Sequence, residues 1–310
     1  MVAPEAPLAP NGPRTDRRGR RRTGRALSRS TPLLPAVVLL AVFLIGPIVQ
    51  AFYGALTNSS LTGSAAQESE FVGLQNFADL FADPVFPKSV LLTTAFLVFS
   101  AIIGQNVLGL GLALLLRTGS RPVRVGVSTV VVGAWIMPEI VASFAAYAFF
   151  AEEGTLNSIL GAVGIAGPSW LYSFPMLSVI LANVWRGTAF SMLVYSAAIN
   201  DVPPEITESA EVDGATGWQR LIRITIPMIR RSISTNLMLT TLQTLSVFTL
   251  IYVMTGGGPG TNSSTLPVLA YQEAFSFSQL GFGTAIAVIL LLVGALFSII
   301  YLRALKPEVD

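Results

Sequence analysis

The residue types that most often do chemistry are missing from this chain. It has no histidine and no cysteine among its 310 residues. Imidazole is therefore unavailable as a base or metal ligand, and a serine–histidine nucleophile cannot be built. Thiol catalysis, thiolate-bound metal and disulfides are excluded as well. Carboxylates, guanidinium groups and amides remain. The one adjacent acidic pair, Glu152-Glu153, has no convergent partner nearby in the sequence. Lys88-Ser89 is the only lysine followed by a hydroxyl, and Pro87 stands where a phosphate-binding loop needs glycine. Gly256-Gly257-Gly258-Pro259-Gly260 carries no lysine and reads as a turn. Glu139 and Arg186 each interrupt a long apolar run. A charge held out of water is costly, so such a residue is a functional candidate by default. For Arg186 the competing readings are a stem that carries its head to water, or a pairing with Glu139.

The elements that must position these residues follow from composition. Hydrophobic residues make up 52% of the chain and charged residues only 12%, about half the usual charged share. A soluble surface cannot be covered with so few charges, and the mean hydropathy of +0.66 agrees. The chain reads as an all-α integral membrane protein. Crossing about 30 Å of hydrocarbon takes roughly 20 mostly apolar residues in a helix. Six runs qualify: Leu33–Leu56, Val90–Leu116, Val125–Phe150, Met176–Ile199, Ile233–Met254 and Thr284–Leu305. None shows the alternation of a barrel strand.

Orientation follows from lysine and arginine alone. Seventeen of the nineteen basic residues fall on the side shared by both termini and the loops after the second and fourth spans. Lys88 lies opposite, and Arg186 is inside a span. Both termini are therefore expected in the cytoplasm of a multi-pass protein of a bacterial plasma membrane. Residues 1–31, proline-rich and then arginine-rich at Arg17–Arg22, are expected to be a disordered tail that touches anionic lipid and binds no nucleic acid. Residues 32–310 form the transmembrane domain.

Residues 201–231 make the one long internal cytoplasmic loop. Pro203-Pro204-Glu205 predicts a helix start, with proline in the first turn and a carboxylate at the positive end of the dipole. That helix ends at Gly214. Thr216 with Gln219 three residues on predicts a capping box opening a second helix, with Trp218, Leu221, Ile222 and Ile226 along one face. Physics alone leaves open a plain connector.

The residues carry more. Glu208-Ser209-Ala210, then Gly214 after three residues, then Ile224-Thr225-Ile226-Pro227 after nine more, resembles the EAA loop of permease subunits of binding-protein-dependent ABC importers. Ser209 replaces the family's alanine and Ile226 its leucine, while the spacing is intact. Phe71–Phe77, Gly154–Leu160 with Trp170-Leu171, and Tyr252–Pro259 followed by Tyr271 and Phe275 resemble further segments of the maltose-type carbohydrate permeases, in the same order. The first loop is too short for a large extracellular insertion, so the chain is similar to a minimal six-span member.

The resemblance implies a coupling helix seated in a cleft of a partner ATPase, with Glu208, Ser209, Ala210, Asp213, Gly214 and Ala215 at the joint. Asp213 is expected to brace the turn and Glu208 to pair with a basic residue of the ATPase. ATP and magnesium belong to that partner, so this chain holds no cofactor, metal or catalytic residue and is not itself an enzyme. It implies a second, homologous permease in a heterodimer, two ATPase copies and an extracellular solute-binding lipoprotein that delivers a di- or oligosaccharide. Substrate contacts are implied on the fourth and fifth spans: Asn183, Trp185, Arg186, Gly187 and Phe190, and Thr240, Gln243 and Thr244. Helix–helix hydrogen bonding is the equal alternative for each polar member, and Gln105 and Asn106 are expected to serve packing or subunit contacts. A permease for a polyamine or phosphate ester, a proton-coupled transporter with Glu139 as its lone intramembrane carboxylate, and a membrane enzyme are the competing functions.

Overall fold

A computed structural model describes residues 34–304, so the N-terminal tail expected at 1–31 lies outside the described residues. The described chain is helical, with one isolated antiparallel bridge between Thr57 and Phe71. It divides at Gln50 into two compact units. In the first, residues 34–50 belong to helix α1 (Leu34–Gly54). The packing described below is that of the second unit.

Outside the spans, α2 (Gln75–Ala82) anchors the segment after α1. Asn76 donates to the carbonyls of Ala55 and Thr57, both at 2.8 Å. Helix α3 (Val85–Thr118) and helix α7 (Pro175–Asn200) are each long and apolar enough to cross a membrane, as are α1 and α13 (Leu280–Ala304). Helix α7 is the central strut, touching α3 over much of its length. Small residues let the two backbones approach, as is usual where apolar lipid gives no hydrophobic drive to association. A Cβ added at Gly109 would lie 2.4 Å from that of Ser191, and one at Gly187 2.3 Å from the side chain of Gln105.

The third and fifth spans are bent pairs rather than single rods. Helices α4 (Arg121–Ile136) and α5 (Glu139–Phe150) are separated by Met137-Pro138, and the chain turns by 110° between α4 and the segment running on to Ala162. Proline has no N–H to give the helix and pushes the residue before it out of helical geometry; Met137 is extended, at ψ 136°. The continuous run expected over Val125–Phe150 is thus corrected to two helices. Helix α6 (Thr155–Ala162) follows. The fifth run divides into α10 (Arg230–Leu245) and α11 (Thr249–Thr255), bent by 48°. No proline or glycine stands at this break. Instead the Ser246 hydroxyl bonds the Gln243 carbonyl at 3.0 Å and the Val247 N–H returns to the Thr244 carbonyl at 3.1 Å, which ends the ladder.

Between α7 and α10 lie α8 (Pro204–Val212) and α9 (Gly217–Arg220), the latter winding on through Met228. Helix α12 (Leu266–Tyr271) continues to Ser276. One apolar cluster joins Phe96, Phe150, Val179, Ile251, Met254 and Val268, and another joins Tyr195, Ile199, Val202 and Ile229 at the opposite end of α7.

Candidate functional site

The loop between α7 and α10 is built by its local signals. Pro204 opens α8 with Glu205 in the first turn. Gly214 sits at φ +81°, the left-handed region that side-chain-bearing residues avoid. The capping box forms: the Gln219 N–H reaches the Thr216 hydroxyl at 3.3 Å, and the Thr216 N–H reaches the Gln219 side chain at 2.8 Å. An ion pair between Glu211 and Arg220 ties α8 to α9 across the turn. Sequence reasoning passed over this tie, although opposite charges on either side of a turn glycine were the available signal.

The arrangement presents a surface. Glu208, Ser209, Asp213 and Gly214 are exposed, and Ala210 and Ala215 half-buried. Glu208 and Asp213 form no ion pair among the described residues. Val212 is 89% exposed and Trp218 70%. Small residues beside an uncommitted carboxylate and two protruding apolar side chains suit close seating of this loop in another protein's cleft.

The polar residues of the spans meet in the interior. Asn183 donates to the Ser100 hydroxyl at 2.8 Å and to that of Thr244 at 3.5 Å, while Gln105 donates to the Asn183 carbonyl at 3.1 Å. About two turns further along, Asn236 donates to Asn106 at 2.8 Å and to Ser191 at 2.9 Å, and the Tyr195 hydroxyl also donates to Asn106. Thr240 accepts from Asn106 at 3.4 Å. Asn183, Thr240 and Thr244 are buried and occupied by these bonds, and Gly187 abuts Gln105. Gln105 and Asn106 pack as expected. Asn236, Ser191 and Tyr195, which sequence reasoning left out, complete the network; an asparagine inside an apolar run was the available signal.

The other candidates sit elsewhere. Gln243 is exposed. Phe190 is half-buried with its ring 6.0 Å from that of Trp135. Trp185 is 42% exposed and lines an apolar cavity of about 530 Å³ with Phe149, Phe150 and Leu181. Arg186 is half-buried, its Nε is enclosed without a hydrogen-bond partner, and it pairs with no carboxylate among the described residues, Glu139 included.

At the other end of the bundle the glycine-rich segment is the expected turn, with Gly256, Gly257 and Gly260 all left-handed. Lys88 holds it, donating to Thr261 at 3.0 Å and Asn262 at 2.8 Å. Nearby, burial and then the charge of Asp83 push the Glu273 carboxyl above its ordinary range. An acid raised in the folded state costs stability as pH climbs from its unfolded range through its folded one. Glu273→Gln is therefore expected to flatten that decline and to raise the melting temperature at neutral pH by roughly 1–3 °C, the group being partly screened by solvent. A melting profile that falls with pH as steeply as the wild type's refutes this.

These features can be set beside known proteins. The family described as binding-protein-dependent transport system inner membrane component matches residues 105–310. The sulfoquinovosyl glycerol transport system permease protein SmoG of Agrobacterium fabrum is 31% identical over 282 residues, covering 89% of each chain. The trehalose transport system permease protein SugA of Mycobacterium tuberculosis is 31% identical, over 87% of this chain and 85% of its own. The trehalose/maltose permease protein MalF of Thermococcus litoralis is 29% identical, over 87% and 91%. Among solved structures, a chain of a bacterial alginate ABC transporter in complex with a pentasaccharide-bound periplasmic protein superposes with a TM-score of 0.78 at 23% identity, over 94% of this chain and all of that one. The apolar spans, the exposed loop at Glu208–Ala215 and these likenesses lead to one assignment: the chain is a multi-pass membrane protein and belongs to the family of binding-protein-dependent transport system inner membrane components.

Proposed function

We propose that this chain is the permease subunit of an ATP-driven importer that takes up a sugar, of di- or oligosaccharide size, delivered by an extracellular binding protein. The observation that carries the reading is the loop around Gly214, whose exposed Glu208-Ser209 beside the half-buried Ala210 is shaped to seat in an ATPase that binds the ATP and magnesium. Each bent helix pair counts as one span in this reading, giving six, with both termini and the loop in the cytoplasm; the bias of basic residues supports it. One coupling loop serves one ATPase, so two ATPase copies require a second permease. The names of the curated relatives, which handle sulfoquinovosyl glycerol, trehalose and maltose, support a sugar as cargo. Uptake of a panel of labelled solutes by cells with and without the chain is the test. Loss of one glycoside is expected; loss of a polyamine or phosphate ester with every sugar unaffected ends the sugar reading.

In this proposal Trp185, Arg186, Phe190 and Gln243 meet the sugar, while Asn183, Gly187, Thr240 and Thr244 hold the scaffold behind them. The exposure of Gln243 and the unpartnered Nε of Arg186 support that division. The native chain contains no cysteine to remove. Single cysteines at 190 and 243 are expected to react with a polar thiol reagent about tenfold faster than one at 183, and substrate should slow them. Equal rates at 183 and 243 contradict the division.

A further inference from the structure

At the end of the bundle that carries the coupling loop, a cavity of about 240 Å³ lies between α3, α4 and α7. That is space for about eight waters. Arg117 from the last turn of α3 and Arg124 from the first turns of α4 both line it, with Ser128, Ser196 and Asn200. Leu116, Met192 and Ile199 supply apolar walls. Neither arginine forms an ion pair or a side-chain hydrogen bond among the described residues. The Ser196 hydroxyl is enclosed and has no hydrogen-bond partner.

Each of these facts asks for the same ligand. Arg117 and Arg124 are both exposed, so water screens their mutual repulsion; what they offer at the rim of this space is guanidinium N–H donors in pairs that match phosphate oxygens. An enclosed hydroxyl without a partner is destabilising until an acceptor reaches it. The apolar walls do not suit a free, fully hydrated anion; they suit a phosphate carried on a glycerol and acyl stem. Basic pockets between membrane helices on the cytoplasmic side are the usual seat of anionic headgroups. We propose that this pocket binds the phosphate of an anionic phospholipid from the inner leaflet, bridging Arg117 and Arg124 and accepting from Ser196. The bound lipid would pin the α3–α4 turn against the end of α7, next to the stretch that leads into the coupling loop. Only the choice of leaflet rests on the topology proposed above.

The test is lipid retention. The full chain, extracted with the subunits it carries, is exchanged into micelles containing phosphatidylcholine and phosphatidylglycerol, and native mass spectrometry counts the adducts on this subunit. The wild type should keep one phosphatidylglycerol and no phosphatidylcholine. Arg117→Gln/Arg124→Gln should lower that occupancy at least tenfold, and Ser196→Ala, which alters no charge and little volume, about threefold to fivefold. Arg121→Gln, on the same turn but outside the cavity, should retain lipid like the wild type. Inorganic phosphate at 10-fold excess over the lipid should not displace it. Displacement by phosphate reassigns the pocket to a free anion and overturns the proposal. Equal losses in Arg121→Gln and Arg117→Gln/Arg124→Gln overturn it too, because the basic surface as a whole would then hold the lipid. Because adducts are counted without any uptake measurement, failure here leaves the transport reading untouched, and the reverse also holds.

Discussion

Replacing Glu208 with lysine is expected to leave the chain in the membrane and to reduce uptake about a hundredfold. Glu208 is exposed on α8 with no ion-pair partner among the described residues, so their packing does not depend on its charge. In the importer proposed above, the same carboxylate would be enclosed against a basic residue of the ATPase. Removing one member of a buried, hydrogen-bonded ion pair costs about 3–5 kcal/mol, and lysine adds repulsion. Amounts in the membrane should match the wild type, whereas the ATPase should be lost on purification. Gly214→Pro should reach the same end by another route. Gly214 sits at φ +81°, and proline is held near −65°, so the turn between α8 and α9 cannot close and the Glu211–Arg220 tie is pulled apart. Wild-type transport by Glu208→Lys would falsify the assignment of this surface.

Gly109→Leu is expected to abolish accumulation of folded subunit. Any Cβ at this position meets the Cβ of Ser191 at 2.4 Å and the backbone nitrogen of Met192 at 2.9 Å. Backbone cannot swing aside as a flexible side chain can, so α3 and α7 must separate. Separation strains the hydrogen bonds that join Asn106, Tyr195, Asn236 and Ser191, leaving buried polar groups unpaired. Overpacking alone costs about 1–3 kcal/mol, and each buried group left unpaired a further 1–3 kcal/mol or so, which together exceed half of the usual stability of a domain. Gly111→Leu is the control, since a Cβ there meets nothing within 4 Å. Size-exclusion profiles of fluorescent fusions should show the monodisperse peak lost at 109 and kept at 111. A normal peak for Gly109→Leu means that the two helices do not cross this closely.

Much of the fold was legible because it is written in local chemistry. Uncharged runs mark spans whatever their neighbours do, since the cost of burying a charge is the same in every bundle. Helix α7 extends over Pro175–Asn200, within a residue of the run read as Met176–Ile199. The capping box at Thr216 and Gln219 and the left-handed Gly214 involve only residues in sight of one another along the chain. Pro138 was a local signal that the continuous run read over Val125–Phe150 passed over, and no local signal gives the 110° of the turn, which depends on where α5 finds apolar partners. The break at 246–248 had no proline or glycine to announce it.

What the sequence by itself determined, then, is which segments are apolar enough to cross a membrane and which local signals build the loop between α7 and α10. The tertiary structure decided which side of each span faces inward. Residues 183, 187 and 190 share a stripe by helical period, yet Asn183 and Gly187 meet α3 while Phe190 meets Trp135 of α4. On the fifth span Thr240 and Thr244 turn to the interior and Gln243, between them, turns outward. In water such faces declare themselves, because one side must be polar. In a membrane the lipid-facing side and the protein-facing side are both apolar. The period then names the residues that share a face and is silent about what that face touches. Only the packing of α3, α7 and α10 around Asn106 and Asn183 settles that.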